Sequence, residues 1–219
     1  MKTMEVCMGF TPEMDALRRA RTKQKIIETA FHVFAERTID AVNLTDIAKA
    51  AGLAMTTVYA YYSSKEPLVM DISTWAWDQY IKNYYSRFEW PSGTAAEMFA
   101  FYMEGFIDLY RSHRDLLRFN QFFNVYVQRE RVTAETIQPF IGVVDALAER
   151  FHAVYAQALL DGTLRTDVPE KEMFSASLHL MLAAVTRYAV GLVYDAGIDP
   201  LKELELLKRI LMKEYTVTK

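Results

Sequence analysis

The chain has 219 residues, 52% of them apolar and 13% aromatic, which supplies a full core and excludes an intrinsically disordered protein. A net charge of −3 excludes a protein that coats nucleic acid along its whole length, so any DNA contact must be local. The single cysteine, Cys7, excludes an intrachain disulfide.

Residues 1–15 read as a loose arm. They show no basic stretch leading into an apolar run, so no secretory leader is expected. No stretch of about 18 apolar residues predicts a membrane span. A reduced cytoplasm fits this cysteine usage.

Only eight Gly and six Pro interrupt many Leu, Met, Ala, Glu and Lys, and no stretch alternates like a strand. The expected class is all-α. A first helix is predicted over 22–36, with Ile26, Ile27, Ala30, Phe31 and Phe34 on one face. Asn43 caps a short second helix over 44–51, and Gly52 ends it. A third short helix covers 54–61. Ser63 with Glu66 three residues on reads as a capping box for a fourth. That helix is expected to run to about Phe88, before Trp90-Pro91-Ser92-Gly93.

A fifth helix is predicted over 94–110, with Phe99, Tyr102, Met103, Phe106 and Tyr110 on one face. One or two pieces follow over 113–128, then a long helix over 133–160 closed by Asp161-Gly162. The stretch 170–196 is apolar almost all round, and 200–214 carries a Leu204/Leu207/Leu211 stripe. A helix apolar on every side must be covered on every side. A homodimer through 170–196 and the last helix is therefore expected.

Residues 43–62 have the grammar of a helix-turn-helix: short helix, tight turn at Gly52, short helix. Ile47, Ala48 and Val58 face inward, while Met55, Thr56, Thr57, Tyr59 and Ala60 face outward. One helix of that length suits a major groove. Between 15 and 70 the chain has eight Lys and Arg against six Asp and Glu, so this part is positive while the whole is negative.

Residues 23–68 resemble the TetR family of transcriptional regulators. The likeness rests on Phe34-Ala35-Glu36-Arg37, then Ile47-Ala48-x-Ala50-Ala51-Gly52, then Thr57-x-Tyr59-x-Tyr61-Tyr62-x-Ser64-Lys65-Glu66. It implies an arm over 1–15, a helix-turn-helix head over 16–68, and a larger ligand-binding and dimerisation domain over 69–219. It further implies double-stranded DNA as partner. Thr56, Thr57 and Tyr59 would lie on the recognition helix beside Met55, with Tyr59 and Lys65 at phosphates. Asn43 and Thr45 would lie near the DNA backbone, and Arg18, Arg19, Arg21 and Lys23 along it or in the minor groove. Three departures stand out. Thr38 replaces the usual glycine, Ala54 the usual serine cap, and Met55 and Ala60 occupy commonly polar or basic positions.

Beyond residue 72 the signal is aromatic: Trp75, Trp77, Tyr80, Tyr84, Phe99, Tyr102, Phe106, Phe119, Phe122, Phe123, Tyr126, Phe151 and Tyr155. Helices converging on so many rings leave concave apolar space. A cavity among the fourth to seventh helices is expected, lined by Tyr102, Phe106, Phe123, Tyr126, Phe151 and His152. Its ligand would be small and apolar or aromatic, with Asn120, Gln121, Asn124 and Arg187 as further polar candidates. His32, His113, His152 and His179 lack metal-ligand spacing. No phosphate loop or nucleophile motif marks an enzyme, so no metal, cofactor or catalytic group is expected. The resulting expectation is a repressor released from DNA by a small molecule. The alternative is a constitutive regulator or architectural factor without a ligand.

Overall fold

The computed structural model describes residues 12–86, 93–194 and 197–217. Residues 1–11 of the arm expected over 1–15, the helix end at Phe88 with its Trp90-Pro91-Ser92 stop, and Ala196 lie outside them. The described residues form nine helices and one isolated antiparallel bridge between Leu164 and Thr216. The helices are α1 Pro12–Arg37, α2 Leu44–Ala51, α3 Met55–Tyr59, α4 Lys65–Tyr85, α5 Ala95–Ser112, α6 Arg114–Glu130, α7 Ala134–Asp161, α8 Glu170–Ala189 and α9 Pro200–Tyr215.

Three boundaries differ from expectation, each for a local reason. First, α1 starts ten residues before Thr22, so residues 12–15 are helix rather than arm. Pro12 presets the helical φ, and Glu13 and Asp15 complement the positive end of the helix. Second, the Ser63–Glu66 capping box does not form. The N-cap of α4 is Ser64, whose side chain makes no capping bond. Third, α8 stops at Ala189 because Gly191 turns left-handed at φ 76°, with Leu192 N donating to Arg187 O at 3.0 Å.

Helix α5 is the hub, packing on α6, α7, α8 and α9. Its N-terminal N–H groups are satisfied from two sides. Thr94 and Glu97 form a capping box. From the end of α7, Asp161 Oδ2 accepts from Ala95 N at 2.8 Å and Thr163 Oγ1 from Ala96 N at 3.0 Å. A single apolar cluster runs from Ile26 to Tyr215. It passes from α1 into the larger helices through Phe31, whose ring lies 5.8 Å from Trp75 and 5.7 Å from Phe119.

Leu204 and Leu211 are buried in this cluster and Leu207 packs against it, so the leucine stripe of α9 faces its own core. The apolar side chains turned outward are Leu206 and Ile210 on α9 and Leu180 on α8. Among the described residues no helix is long and apolar enough to cross a membrane.

Candidate functional site

The head is built by short-range chemistry. Asn43 Oδ1 accepts from Asp46 N at 2.9 Å, and the Asp46 carboxylate accepts from Asn43 N at 3.0 Å, a reciprocal cap for α2. Gly52 then turns at φ 62°, a conformation glycine takes without a Cβ penalty. Helix α3 follows behind Ala54, which offers no side-chain cap. Val58 is fully buried and α3 packs on α2, leaving Met55, Thr56 and Tyr59 exposed and Thr57 half-buried. The outward face therefore offers hydroxyls, a phenol and a thioether, and Thr45 Oγ1 donates to Met55 Sδ at 3.1 Å.

The expected cations divide into two sets. Arg18, Arg19 and Arg21 are exposed on the N-terminal half of α1, which buries nothing before Ile26. Lys23, exposed, and Lys65, part-buried, are each engaged by groups of the protein itself. The Lys23 ammonium lies 2.7 Å from Asp71 Oδ2 on α4, and the same oxygen accepts from Tyr62 Oη at 2.8 Å. Burial, then the Asp71 hydrogen bond and charge, push the Tyr62 hydroxyl far up. Lys65 Nζ donates to Ile39 O at 2.8 Å and Val42 O at 3.1 Å, beside the Tyr126 ring. Two of its three donors thus secure the α1–α2 loop rather than standing free for a phosphate. Sequence reasoning missed the Lys23–Asp71–Tyr62 cluster, because its members come from three elements with no shared motif.

Helix α6 packs against α1 of this head. Beyond the Phe31–Phe119 contact, Arg129 pairs with Asp40 in the α1–α2 loop, and His32 Nδ1 lies 3.2 Å from Asp115 Oδ2.

The interior cavity lies between α4, α5 and α7 and is lined by Trp77, Tyr80, Tyr84, Tyr85, Tyr102, Gly105, Phe106, Leu109 and Leu147. Its volume is about 20 Å³, room for a single water. The ring tips are tied back. Tyr80 Oη donates to Gly105 O at 2.5 Å, Tyr84 Oη to Phe101 O at 2.9 Å, Tyr102 Oη to Leu147 O at 3.4 Å, and Trp77 Nε1 to Asn120 Oδ1 at 3.1 Å. Gly105 sits mid-helix because a Cβ there would stand 3.2 Å from the Tyr84 ring. The 77/80/84 spacing, one face of a helix, is the sequence signal that locates this lining.

Of the six residues expected to line a pocket, the structure brings Tyr102 and Phe106 together at this cavity. Phe151 packs behind them, its ring 5.5 Å from Tyr102 and from Phe174. Phe123 packs instead on Phe140 and Phe119. Tyr126 lies against Lys65. His152 is exposed, with Nδ1 3.1 Å from both oxygens of Glu170, and ties α7 to α8. Asn120, Gln121, Asn124 and Arg187 line an open groove of about 450 Å³ between α6 and α8.

Comparison with known proteins follows this geometry. The profile of the bacterial regulatory proteins of the tetR family matches residues 26–72. The HTH-type transcriptional regulator YvdT of Bacillus subtilis (strain 168) is 40% identical over 50 residues, 23% of this chain and 26% of that protein. The match thus spans about a quarter of that curated relative. A transcriptional regulator from Saccharomonospora viridis in complex with choline superposes with a TM-score of 0.75 at 16% identity, over 91% of this chain and 100% of that one. A tetR-family regulatory protein from Rhodococcus RHA1 gives 0.71 at 16%, over 91% and 99%. FadR from Bacillus subtilis in complex with stearoyl-CoA gives 0.69 at 19%, over 86% and 97%. At such identities the likeness is one of fold.

Proposed function

We propose, from the tetR-family match over residues 26–72, that this chain is a DNA-binding transcription regulator with a helix-turn-helix head, a homodimeric repressor released from its operator by a small molecule. The observation that carries the reading is the separation of two surfaces on one continuous core. Met55, Thr56 and Tyr59 form an outward face backed by buried Val58, while Trp77, Tyr80 and Tyr84 of α4 line the cavity. Helix α4 belongs to both, since Lys65 at its first turn holds the carbonyls of the α1–α2 loop.

The proposed division is a head over 16–68 and a ligand-binding and dimerisation body over 69–219. Thr56, Thr57, Tyr59 and Met55 approach the bases, with Asn43 and Thr45 near the backbone. Arg18, Arg19 and Arg21 follow phosphates. Phosphate contacts set register, and base-edge contacts set sequence. Two heads must stand about 34–36 Å apart, or a multiple of it, to reach successive major grooves.

A ligand wedged between α4 and α5 separates the Tyr80 and Tyr84 hydroxyls from Gly105 and Phe101. That tilts α4 and the loop tied to Lys65, and shifts the population of DNA-competent dimers by its differential affinity. Two fold neighbours are described in complex with choline and with stearoyl-CoA, which supports a ligand site in this body. The small volume, about 20 Å³, favours the second reading, a constitutive regulator with no ligand.

The test is selection of a binding site from random duplex DNA, followed by anisotropy titrations with Tyr59→Ala and Thr56→Ala. Both variants should fold, and both should bind at least tenfold more weakly. Unchanged affinity in both rejects α3 as the reading element. A metabolite panel that never releases the selected site decides for the constitutive reading.

A further inference from the structure

The rim of the interior cavity carries a charge that the lining itself lacks. Arg150 on α7 is half-buried and stands one turn after the lining residue Leu147. Its guanidinium lies 4.6 Å from the centre of the Tyr85 ring, another wall of the cavity. One nitrogen, Nη1, donates to Ala146 O at 2.8 Å within its own helix. Among the described residues no carboxylate pairs with it. Four other arginines of the body pair with carboxylates, Arg111 with Glu104, Arg118 with Asp115, Arg129 with Asp40, and Arg165 with Asp167 and Glu214; Arg114, like Arg150, lies over a tyrosine ring instead, but away from the cavity. The charge reaches the cavity walls: burial pushes the hydroxyls of Tyr85 and Tyr102 up, and Arg150 opposes the shift at both.

A half-buried guanidinium without a carboxylate, fixed over an aromatic wall, is a built acceptor for a planar anion. Resting on the reading of this cavity as the ligand site, we propose that the natural ligand is an amphipathic monocarboxylic acid. Its apolar body inserts among Trp77, Tyr84, Phe106 and Leu147, and its carboxylate pairs with Arg150. A single negative charge fits better than a polyanion. Among the described residues Arg150 is the cation at the rim, and its neighbours on α7, Asp145 and Glu149, are exposed acids that repel further negative charge. A quaternary ammonium finds the rings but meets the repulsion of Arg150. Because the cavity has room for one water only, binding requires α4 and α5 to part, which joins ligand charge to head geometry.

Thermal unfolding and calorimetry on the full chain test this with octanoate and 3-phenylpropanoate, each against its neutral amide, and with octanoyl-CoA. At least one acid should bind and raise the Tm while its amide does not. Arg150→Gln should weaken that acid roughly ten- to a hundredfold, the size of a lost charge-assisted pair. Arg150→Lys, which restores a point charge, should recover part of the loss. Amides binding as well as acids, octanoyl-CoA binding more tightly than octanoate, or acid affinity surviving Arg150→Gln in a folded protein each overturns the carboxylate. Absence of binding by all five probes overturns it too. The cavity reading fails separately: Leu147→Trp fills the space, and any probe that binds this variant as it binds the parent is bound elsewhere.

Discussion

Lys65, the first residue of α4, donates from Nζ to the carbonyl oxygen of Ile39 at 2.8 Å, across 26 positions of sequence. With the second bond to Val42 O it closes the loop between α1 and α2, carbonyls that no helix can satisfy. Lys65→Met should therefore destabilise the fold by about 2 kcal/mol, as two charge-assisted bonds to part-buried acceptors are lost. Urea denaturation measures it. A residue serving only a phosphate gives the opposite pattern, with stability intact and the log–log salt slope of DNA binding smaller by about one.

Thr38 adopts φ 70°, one of two positive-φ residues other than glycine among the described residues. The family resemblance places glycine here, and the backbone shows why. The left-handed region costs an L-residue roughly 1–2 kcal/mol and glycine nothing. The one local compensation is a long bond, Ala41 N to Thr38 Oγ1 at 3.4 Å. After allowing for glycine's greater freedom in the unfolded chain, Thr38→Gly should stabilise the protein by about 0.5–1 kcal/mol. A lower denaturation midpoint would show that the hydroxyl contributes more than the strain costs.

Asp161 connects the end of α7 to the start of α5, and its titration reports that joint. Burial raises its pKa, but the backbone N–H groups of Thr163 and Ala95, with the Thr163 hydroxyl and Gln157, outweigh burial and hold it at about 2, below the ordinary 3.8. A depressed carboxylate contributes stability in full above its unfolded pKa and loses it as pH falls toward the folded one. The stability difference between the parent and Asp161→Asn should thus be constant at about pH 6 and shrink from about pH 4 downward. A difference that persists unchanged at about pH 3 would assign the effect to shape rather than charge.

The head was legible because its determinants are local. The Asn43 cap and the turn at Gly52 need only neighbouring residues, and the structure shows both, adding the return bond from Asp46. The Ser63–Glu66 box failed because Ser64 took the cap position and a long-range donor, Lys65, secured the turn. The cavity was only half legible. An aromatic side chain announces that it will be buried but not against what. Tyr102 and Tyr80 meet at one space, whereas Phe123 turns to Phe140 and His152 turns out to Glu170. Those choices depend on how α5, α6 and α7 rotate against one another, which no periodicity encodes.

Helices α8 and α9 pack on each other and leave Leu180, Leu206 and Ile210 facing outward, while Leu204 and Leu211 face the protomer core. The two sets give opposite predictions. If α8 and α9 form the expected dimer face, Leu180→Glu with Ile210→Glu places four carboxylates in a two-fold interface, where desolvation of unpaired charge is severe. The variant should sediment as a folded monomer at micromolar concentration, with its unfolding midpoint moved mainly through lost association. Its affinity for a two-half-site operator should fall on the order of a hundredfold, because the second head no longer binds at high effective concentration. Leu204→Ala should do the reverse, costing about 3 kcal/mol of core packing while the surviving folded fraction remains dimeric. A double variant that still sediments as a dimer at the parent's concentration rejects these helices as the interface.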